Sequence, residues 1–577
     1  MFNKIIAEGA SIGFDLKSEA TYLESARKSI QNELEAVIGS LKGLNLKDIT
    51  DDQKNKILTH PDVENGGVDL NLSPSRFITL NRERPNQKWL QKAKSSFLNG
   101  KIIFEHTAAG AATRLGLGIK SRMTPFSIVE AINSPMIKPN DLLFAETEKL
   151  KQSLRDKGLT NNKKEEIAKT IKENEDKLKK TLSIGQIDDI RVKLARINNL
   201  SVGVRKIANF AYSTWTEASN AYMDLTFIEQ AKLKNKGIMN CDDFCKSVMS
   251  KQIHTIILNQ DTDAETIDEL RNCNFFGFNP DNLLFMVVYR QPVFTIDQKT
   301  GVVVVDKEAK PMLHNHGVFR MHTVMDNQFF RIESSGDEPT DRVRRIPMSF
   351  NELKGVFEKA DLFVSNNIED LDQLSKLPFD LASMALGLKL GDEGAEMVMT
   401  ATKQKTPAQK GGFFAIHNGE VHCYENDTYP SLKAADIPFL NKNVNMFPNP
   451  LKMLESVKKG NLPTHTSIKE QVDYKGDKRL VLVPQTPQGD VNFILNMKII
   501  KEPANKMLEI RNIKEQGDIP DAVKAFCELD NNPAFVGYVK QFTELKTLRE
   551  VIEAKMKNLG MLQSMIDGYD LYRSQRP

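Results

Sequence analysis

The sequence predicts an α/β layer protein on a mixed, mostly parallel sheet, and three observations carry that reading. Short continuous apolar runs, Lys101 to Phe104, His254 to Leu258 and Leu283 to Tyr289, have the length of buried strands. Helical stretches such as Asp263 to Leu270 separate them, and strands alternating with helices indicate a parallel sheet covered by helices. The first run passes into small residues, Ala108, Ala109, Gly110, Ala111 and Ala112. A loop leaving the carboxyl end of a parallel strand is where open α/β sheets bind ligands.

Taken in order, residues 14–45 read as helix, because Leu16, Ala20, Leu23, Ala26 and Ile30 recur at spacings of three or four. Asp51 to Pro85 is polar, contains Gly66-Gly67 and Pro74, and reads as a connector. Ser127 to Ile132 begins another helix. Leu142 to Lys157 and Asn162 to Leu182 are dense in Lys and Glu and read as a helical hairpin, broken at Gly158 to Asn161. This insertion, 139–195, is a solvated projection or an arm for a protein partner. Gly301 to Val305, Asp361 to Val364 and Arg479 to Val483 are further strands. Gly411 to Ile416 and Glu420 to Tyr424 flank Asn418-Gly419 and predict a tight hairpin. Helices return after residue 503. The expected division is a helical N-terminal region 1–95, a core 96–450 carrying the insertion, and a C-terminal region 451–577.

Composition narrows the classes. Of 577 residues, 40% are hydrophobic and 27% charged, and Gly (32) and Pro (24) are too few for a low-complexity or collagenous chain. The net charge of +3 gives no whole-chain argument for nucleic acid or an anionic membrane. Five cysteines without a CxxC argue against a disulfide framework or zinc, and for a reducing, cytoplasmic compartment. Met1 to Glu8 is too short and mixed for a secretory signal, and no apolar run approaches the ~18 residues of a membrane span. Export by a route that reads other signals is compatible with all of this.

The stretch from Phe104 to Lys120 carries most of the chemistry. Small residues let backbone N–H groups approach a phosphate, and Arg114, just after Thr113, would hold it with a fork of donors. Lys120 adds a second cation. The alternative is a tight packing corner between strand and helix. The loop is neither a Walker P-loop nor GxGxxG.

Thr107-Ala-Ala-Gly-Ala-Ala-Thr-Arg-Leu-Gly116 resembles the Leu-x-Gly-Gly-x-Gly-Thr-Arg-Leu-Gly loop of the UDP-sugar pyrophosphorylases. Later stretches resemble that family in the same order: Phe275 to Phe285, Lys310 to Arg320, Val364 to Ile368, Lys405 to Gly412 with the hairpin to Glu425, and Asn441 to Asn445. The shared order spans roughly residues 100–500. The resemblance implies a nucleotide-diphospho-sugar transferase-like (Rossmann-like) core and a UTP-dependent sugar-1-phosphate uridylyltransferase. It places Arg114, Lys120 and Lys405 on phosphates and the 108–113 backbone around the nucleotide. His314, Asn315, His316, Gly317, Glu425 and Asn443 would face base or sugar. Mg²⁺ would come with UTP, beside Asn366, where the family has an aspartate.

The departures are specific. Ala109 and Ala112 replace glycines, and Asn366 replaces a carboxylate that Mg²⁺ favours. The implied reaction needs no nucleophilic side chain: a sugar-phosphate oxygen attacks the α-phosphorus and pyrophosphate leaves. The protein aligns two anions and offsets charge on the phosphoryl oxygens. Two rivals share the fold: a catalytically degenerate nucleotide- or protein-binding module, and a glycosyl- or nucleotidyltransferase acting on a protein.

Overall fold

The structure is a computed structural model. It describes residues 17–60, 63, 67–108, 122–133, 140–155, 158–178, 181–290, 292–312, 329–333, 344–367, 380–403, 411–425, 428–429, 432–433, 437, 439–459, 465–485, 488–502 and 519–560. In chain order the strands are β1 (Phe77–Thr79), β2 (Ile102–Thr107), β3 (Ile253–Asn259), β4 (Leu283–Val288), β5 (Phe294–Ile296), β6 (Val303–Val305), β7 (Phe329–Ile332), β8 (Arg345–Pro347), β9 (Leu362–Asn367), β10 (Met397–Lys403), β11 (Phe413–His417), β12 (Glu420–Tyr424), β13 (Phe439–Phe447), β14 (His465–Val472), β15 (Lys478–Gln485) and β16 (Met497–Lys501).

The main sheet has the order β1-β16-β10-β13-β9-β2-β3-β4-β7-β8, with the β11–β12 hairpin attached through β13. Among these described strands, only β13 and β7 run against the others of that path. The sheet is therefore mixed and mostly parallel, as the alternation of strands and helices predicts. A smaller antiparallel sheet, β14-β15-β5-β6, stands beside it.

The centre of the main sheet is covered on both faces, and β2 shows why. All six of its residues are buried. Ile102 and Phe104 join a cluster with the helices Gln87–Leu98, Val202–Met223 and Leu381–Asp392. Ile103 faces the other cluster, under the helices Phe350–Glu358 and Pro450–Lys459. Successive side chains of a strand point to opposite faces, so a continuous apolar run fits a strand with no wet face.

Several expectations are refined. The N-terminal helix ends at Ile38, because Gly39 takes φ +83° and its N–H bonds back to Glu35. The stretch read as a connector contains the helix Asp51–Leu58, set by the reciprocal Thr50–Gln53 capping box, and β1. The insertion does form two helices, Asp141–Ser153 and Asn161–Leu178, bridged by Lys151 and Glu175 at 3.1 Å. Its third helix, Ile184–Leu194, is not a projection. It buries Ile187, Ile190 and Leu194 against the C-terminal helix Ile519–Asp530. The strands at Gly301–Val305 and Arg479–Val483 belong to the smaller sheet. The hairpin at Asn418-Gly419 forms with both residues at positive φ, 51° and 83°. β1 and β16 lie outside the range 96–450 yet complete the main sheet.

The turn into β2 depends on Gly100. Its φ is +65°, and a Cβ there would lie 2.0 Å from the Lys251 carbonyl oxygen. A left-handed side-chain residue costs ~1–2 kcal/mol and overpacking ~1–3 kcal/mol. Gly100→Ala is expected to lose about 2–4 kcal/mol in urea unfolding; an unchanged midpoint would refute this account of the turn.

Candidate functional site

The parallel register lines up polar residues at the carboxyl edge. Glu105 pairs with Ser365, His106 with Asn366 and Thr107 with Asn367. On the other side Phe104 pairs with His254 and Glu105 with Thr255. Residues paired across strands share a face, so the edge carries a different polar row on each side of the sheet.

On the face covered by Val202–Met223, the Lys206 ammonium donates to Asn366 Oδ1 at 2.7 Å. Lys206 is 0% exposed and Asn366 2%. His106 Nε2 and His254 Nδ1 share a hydrogen bond of 3.0 Å, among the rings of Phe104, Phe210 and Phe278. On the opposite face Ser365 Oγ donates to Glu105 Oε1 at 2.6 Å. Thr255 Oγ1 and Asn445 Oδ1, at the two ends of that row, have no hydrogen-bond partner among the described residues.

Local sequence sets these positions. Ser201 caps the helix Val202–Met223 by accepting from the Val204 N–H. Arg205, next to the lysine, donates to Asn198 Oδ1 and the Phe526 carbonyl and pairs with Asp530 at 3.1 Å. These bonds fix the helical turn that delivers Lys206. Burial pushes both imidazoles down: His254 to about 3, and His106 well below its usual range, helped by His254 and the Lys206 charge and opposed by the Asn366 amide. Both rings are neutral at physiological pH.

The predicted site residues separate into three groups. Ala108 is buried at the exit of β2, where its N–H bonds to the Ile257 carbonyl at 2.8 Å. Asn366 and Asn443 lie at the same edge. Asn443 has φ +60° in a bulge of β13 between the pairs Met399–Asn445 and Ala401–Asn441, and its N–H bonds to Asn441 Oδ1 at 2.8 Å. Ala109, Gly110, Ala111, Ala112, Thr113, Arg114, Lys120, His314, Asn315, His316, Gly317 and Lys405 lie outside the described residues. In sequence, Arg114 comes six residues after Ala108, and Lys405 two residues after the last residue of β10, Lys403. Glu425 stands elsewhere, among Asp490, His465 and Gly489 at the smaller sheet.

Sequence reasoning missed Lys206, His106 and His254. A signal was present for the first: Arg205-Lys206 interrupts the stretch Val202 to Ala211, in which Asn209 is the one other polar side chain. Asn366 offers a neutral amide oxygen that already accepts from an ammonium, whereas Mg²⁺ favours carboxylates. This donor set does not fit a divalent ion held by the protein. Among the described residues no group of three His, Cys, Asp or Glu is placed to hold a metal. No helix there is long and apolar enough to cross a membrane.

No family model matches the chain, and no curated protein does. Among solved structures it is similar to the UDP-N-acetylglucosamine pyrophosphorylase of Trypanosoma brucei in complex with an inhibitor, at 12% identity over 80% of this chain and 72% of that one, TM-score 0.43. It is also similar to a mutant UDP-glucose pyrophosphorylase of Leishmania major in complex with UDP-glucose, at 11% identity over 78% and 71%, TM-score 0.38. At these identities and scores the likeness identifies no activity.

The neutral histidine pair predicts acid sensitivity. In the unfolded chain each imidazole takes a proton near pH 6.5, whereas in the fold it stays neutral far below that. The unfolded state then binds more protons, so stability falls as pH drops below 6.5, by up to about 1.4 kcal/mol per pH unit for each histidine. His254→Phe is expected to flatten the slope of unfolding free energy against pH between 6.5 and 4.5. An unchanged slope would refute the assignment.

Proposed function

We propose that the chain is a UTP-dependent sugar-1-phosphate uridylyltransferase, making a UDP-sugar and pyrophosphate on a nucleotide-diphospho-sugar transferase-like core. The observation that supports it is convergence: Ala108, Asn366, Asn443 and the end of β10 lie far apart in sequence yet share one sheet edge. In this reading the backbone from Ala108 to Thr113 wraps the triphosphate. Arg114 grips its terminal phosphates, with Lys120 beside it and Lys405 opposite. Residues His314 to Gly317 line the base or sugar, and Asn443, re-aimed by its bulge, meets sugar hydroxyls. UTP brings Mg²⁺, which supplies charge neutralisation on the phosphates. The side chains orient the two anions for in-line attack and stabilise charge on the phosphoryl oxygens. A cytoplasmic setting suits the five free cysteines.

A second reading, a protein-binding role for the insertion 139–195, is favoured by Leu142 and Phe144, exposed at 87% and 58% on its first helix.

The test is pyrophosphate release with UTP, Mg²⁺ and a panel of sugar-1-phosphates. Arg114→Ala is expected to lose about 2–4 kcal/mol of transition-state stabilisation, or ~30- to 1000-fold in rate, with unchanged thermal stability. Undiminished activity in that variant would remove the role given to Arg114.

A further inference from the structure

At the amino edge of the main sheet, the end opposite Ala108 and Asn366, β1, β16 and the tip of the β11–β12 hairpin border a cleft of about 760 Å³. We propose that this cleft is a second ligand site, for a small organic anion that also carries hydroxyl groups, with Arg76 and Lys498 on the anion and His422 accepting from a hydroxyl. The proposal does not depend on the uridylyltransferase reading.

The imidazole is held in a set pose. Buried Asn492 donates through its amide nitrogen to the carbonyls of Cys423 and Gly489, at 3.0 and 2.6 Å. Its oxygen is thereby turned to the Cys423 N–H at 3.2 Å and to His422 Nδ1 at 3.0 Å. An amide oxygen only accepts, so Nδ1 carries the ring proton. In the neutral ring Nε2 is then an acceptor, and no hydrogen bond among the described residues uses it. Phe493 stacks on the ring, with centroids 5.0 Å apart and planes 18° apart. Packing alone would be served by a phenyl ring; the bond to Asn492 fixes a tautomer that a ligand's donor can use.

The charge comes from two cations. Arg76 directly precedes Phe77, Lys498 directly precedes Ile499, and Phe77 and Ile499 pair in the parallel register of β1 with β16. The Arg76 guanidinium is turned to the hairpin by its bond to the Gly419 carbonyl at 2.9 Å. Neither cation has a carboxylate at ion-pair distance among the described residues. Of the two carboxylates on the cleft, Glu393 is paired with Lys389 at 3.4 Å. Glu420 lies two residues before His422, on the same side of β12, and adds an acceptor for hydroxyls. That leaves two positive charges against one negative, and like charges on neighbouring strands repel until an anion joins them. Arg76, Lys498 and Glu420 are exposed and His422 is half-buried, so a ligand reaches all four. The volume falls within the ~300–1,000 Å³ of small-molecule sites and exceeds what a bare inorganic ion fills.

The experiment is labelling of the full-length chain with diethyl pyrocarbonate at neutral pH, read residue by residue by mass spectrometry. The reagent acylates an unprotonated imidazole nitrogen, so His422 is expected to be labelled in the free protein. Glucose 6-phosphate and gluconate, each at millimolar concentration, are the probes; inorganic phosphate and glucose are their separate halves. A probe that bonds to both cations and to Nε2 is expected to slow labelling of His422 by ~10-fold or more, and either half alone by ~2-fold or less. Labelling of His417, on the same hairpin, is expected to stay unchanged. Protection by glucose 6-phosphate alone assigns the anion as a phosphate, and protection by gluconate alone as a carboxylate. In calorimetry His422→Phe, which keeps the stack on Phe493, is expected to weaken the protecting probe by ~10-fold or more with unchanged thermal stability. The double variant Arg76→Ala, Lys498→Ala is expected to lose protection while His422 is still labelled. The proposal is overturned if His422 resists labelling in the free protein, if neither probe protects it, or if inorganic phosphate protects as well as the probes. These wild-type outcomes stand even if a variant fails to fold, and they are independent of whether pyrophosphate is released from UTP.

Discussion

Strand β2 has water on neither face: its six residues are buried, and its backbone is bonded to β3 on one side and β9 on the other. A polar side chain in such a strand must find partners inside the protein or cost ~1–3 kcal/mol. Glu105 and His106 sit in its last three residues, on opposite faces. Each draws a partner from a neighbouring strand, Ser365 directly opposite for the carboxylate and His254, two residues before the register position, for the imidazole. The edge where ligands reach an α/β sheet is therefore already crowded with fixed polar groups.

That crowding explains why distant parts of the chain support the same place. The helix Val202–Met223 carries Lys206 to Asn366, but it is held from behind by the C-terminal helices. Arg205 reaches the Phe526 carbonyl, its guanidinium packs over the Phe526 ring, and Tyr538 Oη donates to the Phe276 carbonyl at 2.9 Å. Phe535, Tyr538 and Val539 belong to the same buried cluster as Phe104 and Ala108. The helices within residues 519–560 buttress the β2 edge, and their loss would free the turn that presents the lysine.

Much of the scaffold was legible because its signal is local. Continuous apolar runs mark β2, β3 and β4, and Asn418-Gly419 marks a hairpin through its left-handed backbone. The helix Asp51–Leu58 was missed because Ile57 and Leu58 are its only apolar residues and its start is written in two side chains, Thr50 and Gln53. β1 was missed because three residues, Phe77 to Thr79, carry no periodicity; their pairing with β16 comes from some 420 residues away. At the edge, Ala108, Asn366 and Asn443 were legible through ordered motifs. The histidine pair was not, since no spacing links residues 106 and 254. Only the parallel register of β2 with β3 brings them together.

The place of Glu425 shows how the two sheets divide the charge between them. His465 Nε2 lies 3.2 Å from Asp490 Oδ2, and His60 stacks on Phe493 beside it. Burial alone would lower the His465 pKa, yet Asp490, Glu33 and Glu425 surround it and carry it above its ordinary value. Glu33 belongs to the N-terminal helix, His465 to β14, and Asp490 to the turn before β16. Glu33 on the N-terminal helix and Glu425 at the end of β12 therefore both stand near the histidine of the smaller sheet and act on it through their charge. The smaller sheet surrounds its histidine with carboxylates and neutralises it internally. Charge that a fold balances within itself joins its parts.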